Sequence, residues 1–305
     1  MADLKVRIGA LELKNPILAA SGTFGYGLEF AAMMDIKKIG AFCTKGLSLK
    51  PRAGNQMPRI CETPCGMINS IGLENVGIDA FEAEKLPQIR QTGAAVIANF
   101  FGDTEADYAE AARRLAAMEG VHALEMNVSC PNVDKGGIEF GGDPAFLERL
   151  TAAVKKACPH KPLIVKLSPN VADIRPFAAA VENGGGDAIS AINTLKGMSI
   201  DVKTRRPKIK RVFGGLSGPA IKPVALKMVY ECVKTVKIPV IGIGGIGSLD
   251  DALEFLIAGA SAVQVGTMNF VEPGICQRLA EELNDYCDRE NIARVTDLIG
   301  TLKTD

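Results

Sequence analysis

The stretch "EMNVSCPN", residues 125–132, closes an apolar run with Asn127, Ser129, Cys130 and Asn132, and Pro131 stops it. A core strand has no use for so many polar groups at its tip, whereas a reactive site does. A thiol of ordinary pKa, near ~8.5, becomes a useful base when positive charge or dipoles lower it. General-base work wants a pKa close to the operating pH. Most cysteines are buried hydrophobes, and what separates Cys130 from the other cysteines is its polar flank. A covalent nucleophile would want a histidine beside it. The chain has only His122 and His160, and His122 lies at the start of the same strand, away from its tip. Cys130 is therefore read as a base.

Other apolar runs also end in groups fit for chemistry: Ser21, Lys45, Asn99, Lys166, Asn193 with Thr194, Gly244 with Gly245, and Gly266 with Thr267. "IGIGGIG" at 241–247 fits G-x-G-x-x-G, a weak signal by itself. A dinucleotide site wants an acidic residue at the end of the next strand, and "AVQVGTM" has none. Two glycine-bearing strand ends suit a single phosphate, with the helix opening near Ser248 adding its positive end. That favours a mononucleotide. Lysines at strand ends need anionic company, and flavin mononucleotide (FMN) offers a phosphate and a ring pole that gains negative charge on reduction. Lys166 is suited to stabilise that charge; a Schiff-base lyase on Lys166 is the competing use. Primary amides offer both donors and acceptors. Asn69, Asn127, Asn132 and Asn193 thus suit a planar ring with alternating N–H and C=O, and Lys45 a carboxylate.

These residues need a frame that gathers them. Short Val- and Ile-rich runs alternate with amphipathic helical patterns such as "DPAFLERLTAAVKKA" and "SLDDALEFLIAGA", the mark of β/α units. The runs are "PILAAS", "AFCTKG", "AVIANFFG", "HALEMNVSC", "PLIVKLS", "AISAINT", "PVIGIGG" and "AVQVGTM". They match a (β/α)8 TIM barrel in number, ahead of an open doubly wound sheet. "LKVRIGALELKN" predicts an N-terminal hairpin. Long insertions follow strands 2 and 6, at 47–79 and 195–218, and such connections are usually lids or binding loops. The basic run Lys203–Arg211 reads first as a solvated loop. No linker or change of composition divides residues 1–305, so one domain is expected.

Lys+Arg and Asp+Glu both number 35. The balance gives no support to nucleic-acid or polybasic membrane binding. No apolar run approaches the ~20 residues of a membrane span, the N-terminus lacks a signal-peptide core, and a cytoplasmic protein is expected. Eight cysteines are scattered without C-x-x-C. The spacing supplies neither a zinc finger nor an iron–sulfur cluster and suggests that most of the thiols are buried and reduced, with no metal site.

The motifs "NPILAASGTFGYG", "TKGLSLKPR", "GMINSIGLEN", "NVSCPN", "VKLSPN", "INTLKGM", "GGLSGPAIKP", "GIGGI" and "VQVGT" span residues 15 to 267. Together they resemble class 1 dihydroorotate dehydrogenases, most closely the B-type catalytic subunit. The resemblance implies oxidation of dihydroorotate to orotate in pyrimidine synthesis, with one FMN per chain. It assigns Ser21, Lys45, Gly46, Asn99, Asn127, Lys166, Ile192, Gly218, Gly244, Gly245, Gly266 and Thr267 to FMN. It assigns Lys45, Asn69, Ser70, Ile71, Gly72, Leu73, Asn127, Asn193 and Thr194 to orotate, with Asn132 joining them. Cys130 corresponds to the base that removes the C5 proton as hydride leaves C6; the membrane-associated class uses serine there.

B-type relatives work as a homodimer core with a second subunit carrying FAD and a 2Fe–2S cluster, a heterotetramer that passes electrons to NAD⁺. The cysteine spacing agrees, since this chain cannot hold such a cluster. Cys61 and Cys65 depart from the pattern, standing where small or apolar residues are expected. The rivals are the fumarate-linked A type, a dihydropyrimidine dehydrogenase subunit, and a non-catalytic barrel that binds a phosphate ligand.

Overall fold

Apolar runs bounded by proline, glycine and short polar turns become eight parallel strands. The computed structural model describes residues 2–129, 131–132, 138–139 and 142–304. Strands β1 (Ile17–Ala19), β2 (Ala41–Cys43), β3 (Val96–Phe100), β4 (Ala123–Asn127), β5 (Leu163–Leu167), β6 (Ala188–Ala191), β7 (Val240–Ile243) and β8 (Ala262–Val265) close into one barrel in chain order. The strands are buried on both faces, which is why they read as near-continuous apolar runs instead of alternating ones.

The helices predicted from periodicity pack outside, among them Glu105–Ala117, Pro144–Ala157, Arg175–Asn183, Lys222–Thr235 and Leu249–Ile257. Thr104 and Asp107 form a reciprocal cap at the start of Glu105–Ala117, satisfying N–H groups that a helix start leaves open. Buried side chains from Val6 to Leu298 form one continuous apolar cluster. The N-terminal hairpin pairs Val6–Ile8 with Leu11–Leu13. Its turn glycine, Gly9 (φ +59°), lies against Pro162 and Asp187, the residues that lead into β5 and β6. The hairpin therefore covers the amino-terminal end and leaves the opposite end for the site.

The two long insertions are not structureless. Their strands combine into a four-stranded antiparallel sheet in the order Leu195–Gly197, Gly214–Ser217, Gly66–Asn69, Ile60–Thr63. The central pairing, Leu216 opposite Ile68, joins residues far apart in the chain. Arg59 with Glu74, and Arg52 with Asp103, tie the first insertion down. Arg52 also lies 4.9 Å over the Phe101 ring. Most of the basic run 203–211 is exposed, as expected of a solvated loop, although Ile209 is buried.

No helix among the described residues is long and apolar enough to cross a membrane. Cys43, Cys158, Cys232, Cys276 and Cys287 are buried and free. Burial pushes the Cys158 thiol up to about 11 and the Cys232 thiol up to about 12.

Candidate active site

The carboxyl ends of the barrel strands and the four-stranded sheet enclose a cavity of about 1080 Å³. Its deepest polar layer comes from residues that the strand pleat turns inward. Glu125 and Asn127 are two apart on β4, hence on one face, and their neighbours on β5 include Lys166, opposite Asn127. Glu125 is completely buried. It accepts hydrogen bonds from Asn99 Nδ2 (2.7 Å), Ser190 Oγ (2.8 Å) and Gln264 Nε2 (2.8 Å), and Lys166 Nζ lies 3.9 Å from its Oε1. Only the barrel interior brings β3, β4, β5, β6 and β8 to one carboxylate. The anionic company that a buried lysine needs thus comes from within the barrel. The ends of Asn99 and Lys166 reach the cavity. Gly46 lets Asn99 approach, since an added Cβ would lie 2.8 Å from Asn99 Oδ1.

On the wall formed by β4 and β6, Asn193 Nδ2 donates to Asn127 Oδ1 (3.1 Å) and Ser129 Oγ (2.9 Å). The Ser129 N–H also donates to Asn127 Oδ1 (3.2 Å), and Tyr108 Oη donates to the Asn127 carbonyl (2.6 Å). With its oxygen so engaged, Asn127 has its amide N–H groups to offer the cavity. Cys130 lies outside the described residues, and so does the side chain of Asn132. Their neighbours Asn127 and Ser129 line the same cavity as Gly244, Gly245 and Gly266.

Opposite, residues 69–73 form an arm clamped by backbone bonds. Ser70 N donates to Arg59 O (2.8 Å), Asn55 N to Ile71 O (2.9 Å), and Asn75 Nδ2 to Leu73 O (2.9 Å). Gly72 (φ +77°) and Leu73 (φ +59°) are both left-handed, a conformation costly for leucine and a mark of functional loops. Ser70 Oγ is buried and has no partner among the described residues. Lys45, held through its N–H to Gly25 O (2.7 Å), also reaches the cavity. Burial pulls its ammonium below the ordinary lysine range, against the opposing pull of Glu74.

The glycine-bearing ends of β7 and β8 complete the rim. Gly244 (φ +135°) and Gly245 (φ +76°) adopt backbone that favours glycine, and added Cβ atoms would strike Ala225 and Lys222 at 2.6 Å. The N–H groups of Gly245 and Ile246 have no protein acceptor among the described residues. Thr267 Oγ1 donates to Ser217 Oγ at 2.8 Å. At the helix opening near Ser248, the N–H groups of Gly247 and Ser248 both donate to Asp251 Oδ2 at 2.9 Å, and the Asp251 N–H donates back to Ser248 Oγ at 3.2 Å.

Ser21, Gly46, Ile192, Thr194 and Gly218 line the cavity as well. Sequence reasoning missed Glu125, Ser190 and Gln264, as well as Asn170, which accepts from Lys196 N (2.9 Å) and donates to Thr194 O (3.1 Å). A glutamate in the apolar run "HALEMNVSC", in phase with Asn127, was the available signal.

A closed (β/α)8 barrel with a polar mouth at its strand carboxyl ends places the chain among barrel proteins whose strand-end loops carry their chemistry. The chain belongs to the dihydroorotate dehydrogenase family: the family model described as "Dihydroorotate dehydrogenase" matches residues 3–287. It is 56% identical over 301 residues to the "Dihydroorotate dehydrogenase B (NAD(+)), catalytic subunit" of Pelobacter propionicus, covering 99% of each chain. The protein of the same name from Trichlorobacter lovleyi is 58% identical over 300 residues, with 98% of each covered. That of Maridesulfovibrio salexigens is 52% identical over 301 residues, covering 99% of each.

Proposed function

We propose that the chain oxidises dihydroorotate to orotate with one FMN held in the mouth cavity, as the catalytic subunit of a B-type enzyme. What carries the proposal is the meeting of Lys45, Lys166 and the amides of Asn69, Asn99, Asn127 and Asn193 with the glycine rim in one cavity. The residues present fit the cofactor. An added Cβ at Gly266 would meet only Ala20 Cβ, at 3.9 Å, and one at Gly22 would meet nothing within 4 Å, so open space lies before both. The N–H groups of Gly245 and Ile246, with Gly218 and Thr267, suit the phosphate, while Lys166 and Asn99 suit the polar edge of the ring. Ser21, Gly46, Gly244 and Ile192 complete that set. Bound FMN supplies the acceptor for the hydride that leaves C6.

The protein's own residues do the rest. Asn69, Asn127, Asn193 and Thr194, with Asn132, orient the pyrimidine through its alternating N–H and C=O edge. Ser70, Ile71, Gly72 and Leu73 close the arm over the substrate. Lys45 receives the carboxylate. Cys130 takes the C5 proton. A second subunit carrying FAD and a 2Fe–2S cluster would pass the electrons on to NAD⁺, in a heterotetramer built on a homodimer of single-domain barrels. The relatives' name, a catalytic subunit linked to NAD⁺, supports that assembly, and co-purification with a stoichiometric iron–sulfur flavoprotein tests it.

Substrate choice tests the chemistry: dihydroorotate turns over, whereas dihydrouracil, which lacks the carboxylate for Lys45, does not. Equal turnover of both would overturn the assignment. Gly72→Ala introduces a Cβ 2.6 Å from Asn55 N at a positive φ, strain of ~1–3 kcal/mol. We expect a KM for dihydroorotate raised about tenfold or more, ~1.4 kcal/mol per tenfold, with flavin content unchanged. Spectral titration beside steady-state kinetics reads both.

Orotate binding is also expected to weaken as pH rises through the lowered pKa of Lys45, since only the ammonium attracts the carboxylate. The loss should begin below the ordinary lysine value near ~10.4. Glu74 and Arg59 are the charged groups acting on Lys45, and Lys45→Met should abolish the dependence. Orotate dissociation constants across the alkaline range, with and without that substitution, measure it.

A further inference from the structure

Glu125 touches no cavity surface, yet it contacts two residues that do. Its carboxylate is fully buried and accepts from Asn99, Ser190 and Gln264. It also faces Lys166 Nζ at 3.9 Å. A buried carboxylate so heavily hydrogen-bonded is a fixed negative charge in a medium where charges act strongly. Cys43 sits in the same layer, where Gln264 Nε2 donates to its Sγ at 3.2 Å. Burial, then the Glu125 charge, push that thiol well above its ordinary range, which leaves Lys166 and Glu125 as the charged pair of this layer.

We propose that Glu125 is a positioning residue that sets the reduction potential of the cofactor from inside the barrel. It fixes Lys166 and Asn99, which suit the polar edge of the ring, and its charge offsets part of the lysine's pull on the negative charge gained on reduction. The proposal rests on the cavity being the flavin site. A pocket with Lys166 alone would favour the reduced cofactor more strongly; with Glu125 behind the lysine, the potential is held lower and electrons pass on more readily.

Glu125→Gln keeps the shape and removes the charge. The barrel is equipped to tolerate it, because Gln264 Oε1 is buried without a partner among the described residues and an amide turn would present it to the new N–H groups. The measurement is the midpoint potential of bound FMN, by equilibration with reference dyes, in wild type and Glu125→Gln. The variant is expected to shift positive, with the preference for reduced over oxidised FMN raised about tenfold, ~30 mV for a two-electron couple. An unchanged or negative potential in a folded, flavin-loaded variant would overturn the proposal.

Should Glu125→Gln fail to fold, Ser190→Ala supplies the reading. It leaves the carboxylate charged but less neutralised, so the potential should move negative; no movement would overturn the proposal equally. A wild-type protein that takes up no FMN defeats the flavin assignment instead, which keeps the two failures distinct.

Discussion

Cys130→Ser is expected to lower dihydroorotate turnover by about 10²- to 10⁴-fold, the range for removing a general base, while FMN content stays at the wild-type level. A serine hydroxyl is a far weaker acid than a thiol and yields little of the basic form near neutral pH. The groups just before Cys130 are closely fixed: Asn193 donates to both Asn127 Oδ1 and Ser129 Oγ, and Tyr108 holds the Asn127 carbonyl. The residue proposed as the base therefore comes directly after a closely fixed strand end. Turnover with an artificial acceptor, beside flavin absorbance, measures the effect. Wild-type turnover in the serine variant would remove Cys130 from the mechanism.

The second large effect is expected for Lys166→Met. Removing the ammonium strands the Glu125 carboxylate in the barrel interior, and breaking a buried pair from one side costs ~3–5 kcal/mol. The loss should appear as a lowered denaturant midpoint. Turnover should fall about 10²- to 10³-fold, as expected when a preorganised charge at the reacting centre is lost. The double variant Lys166→Met with Glu125→Gln has no stranded charge. It should regain most of the stability and none of the turnover, because neighbouring contributions are not additive. If stability did not recover, the 3.9 Å approach of Lys166 to Glu125 would not be an energetic pair.

The barrel was legible because each strand is a compact Val- and Ile-rich run and helices such as Pro144–Ala157 keep a clear apolar stripe. The site was legible for the same reason, since a strand that must end in a mouth shows its polar residues at its tip, as Asn127, Lys166 and Asn193 do. Pairing between insertions was not. Gly66–Asn69 and Gly214–Ser217 are short and glycine-bearing, and their partnership is fixed only once the barrel brings them together. Glu125 escaped for a related reason. Its meaning lies in Asn99, Ser190 and Gln264 on three other strands, and no local pattern joins them. At Ser248 the motif suggested an open helix end, and Asp251 three residues on takes the N–H groups of Gly247 and Ser248, a capping arrangement written in the sequence "SLDD" itself.

The most direct test of the central claim is anaerobic addition of dihydroorotate to the purified, FMN-loaded chain while its visible absorbance is followed. A yellow protein that bleaches, releasing one orotate for each flavin reduced, is the expected result. A preparation that stays colourless after incubation with FMN, or a yellow one that keeps its colour through excess dihydroorotate, would contradict it.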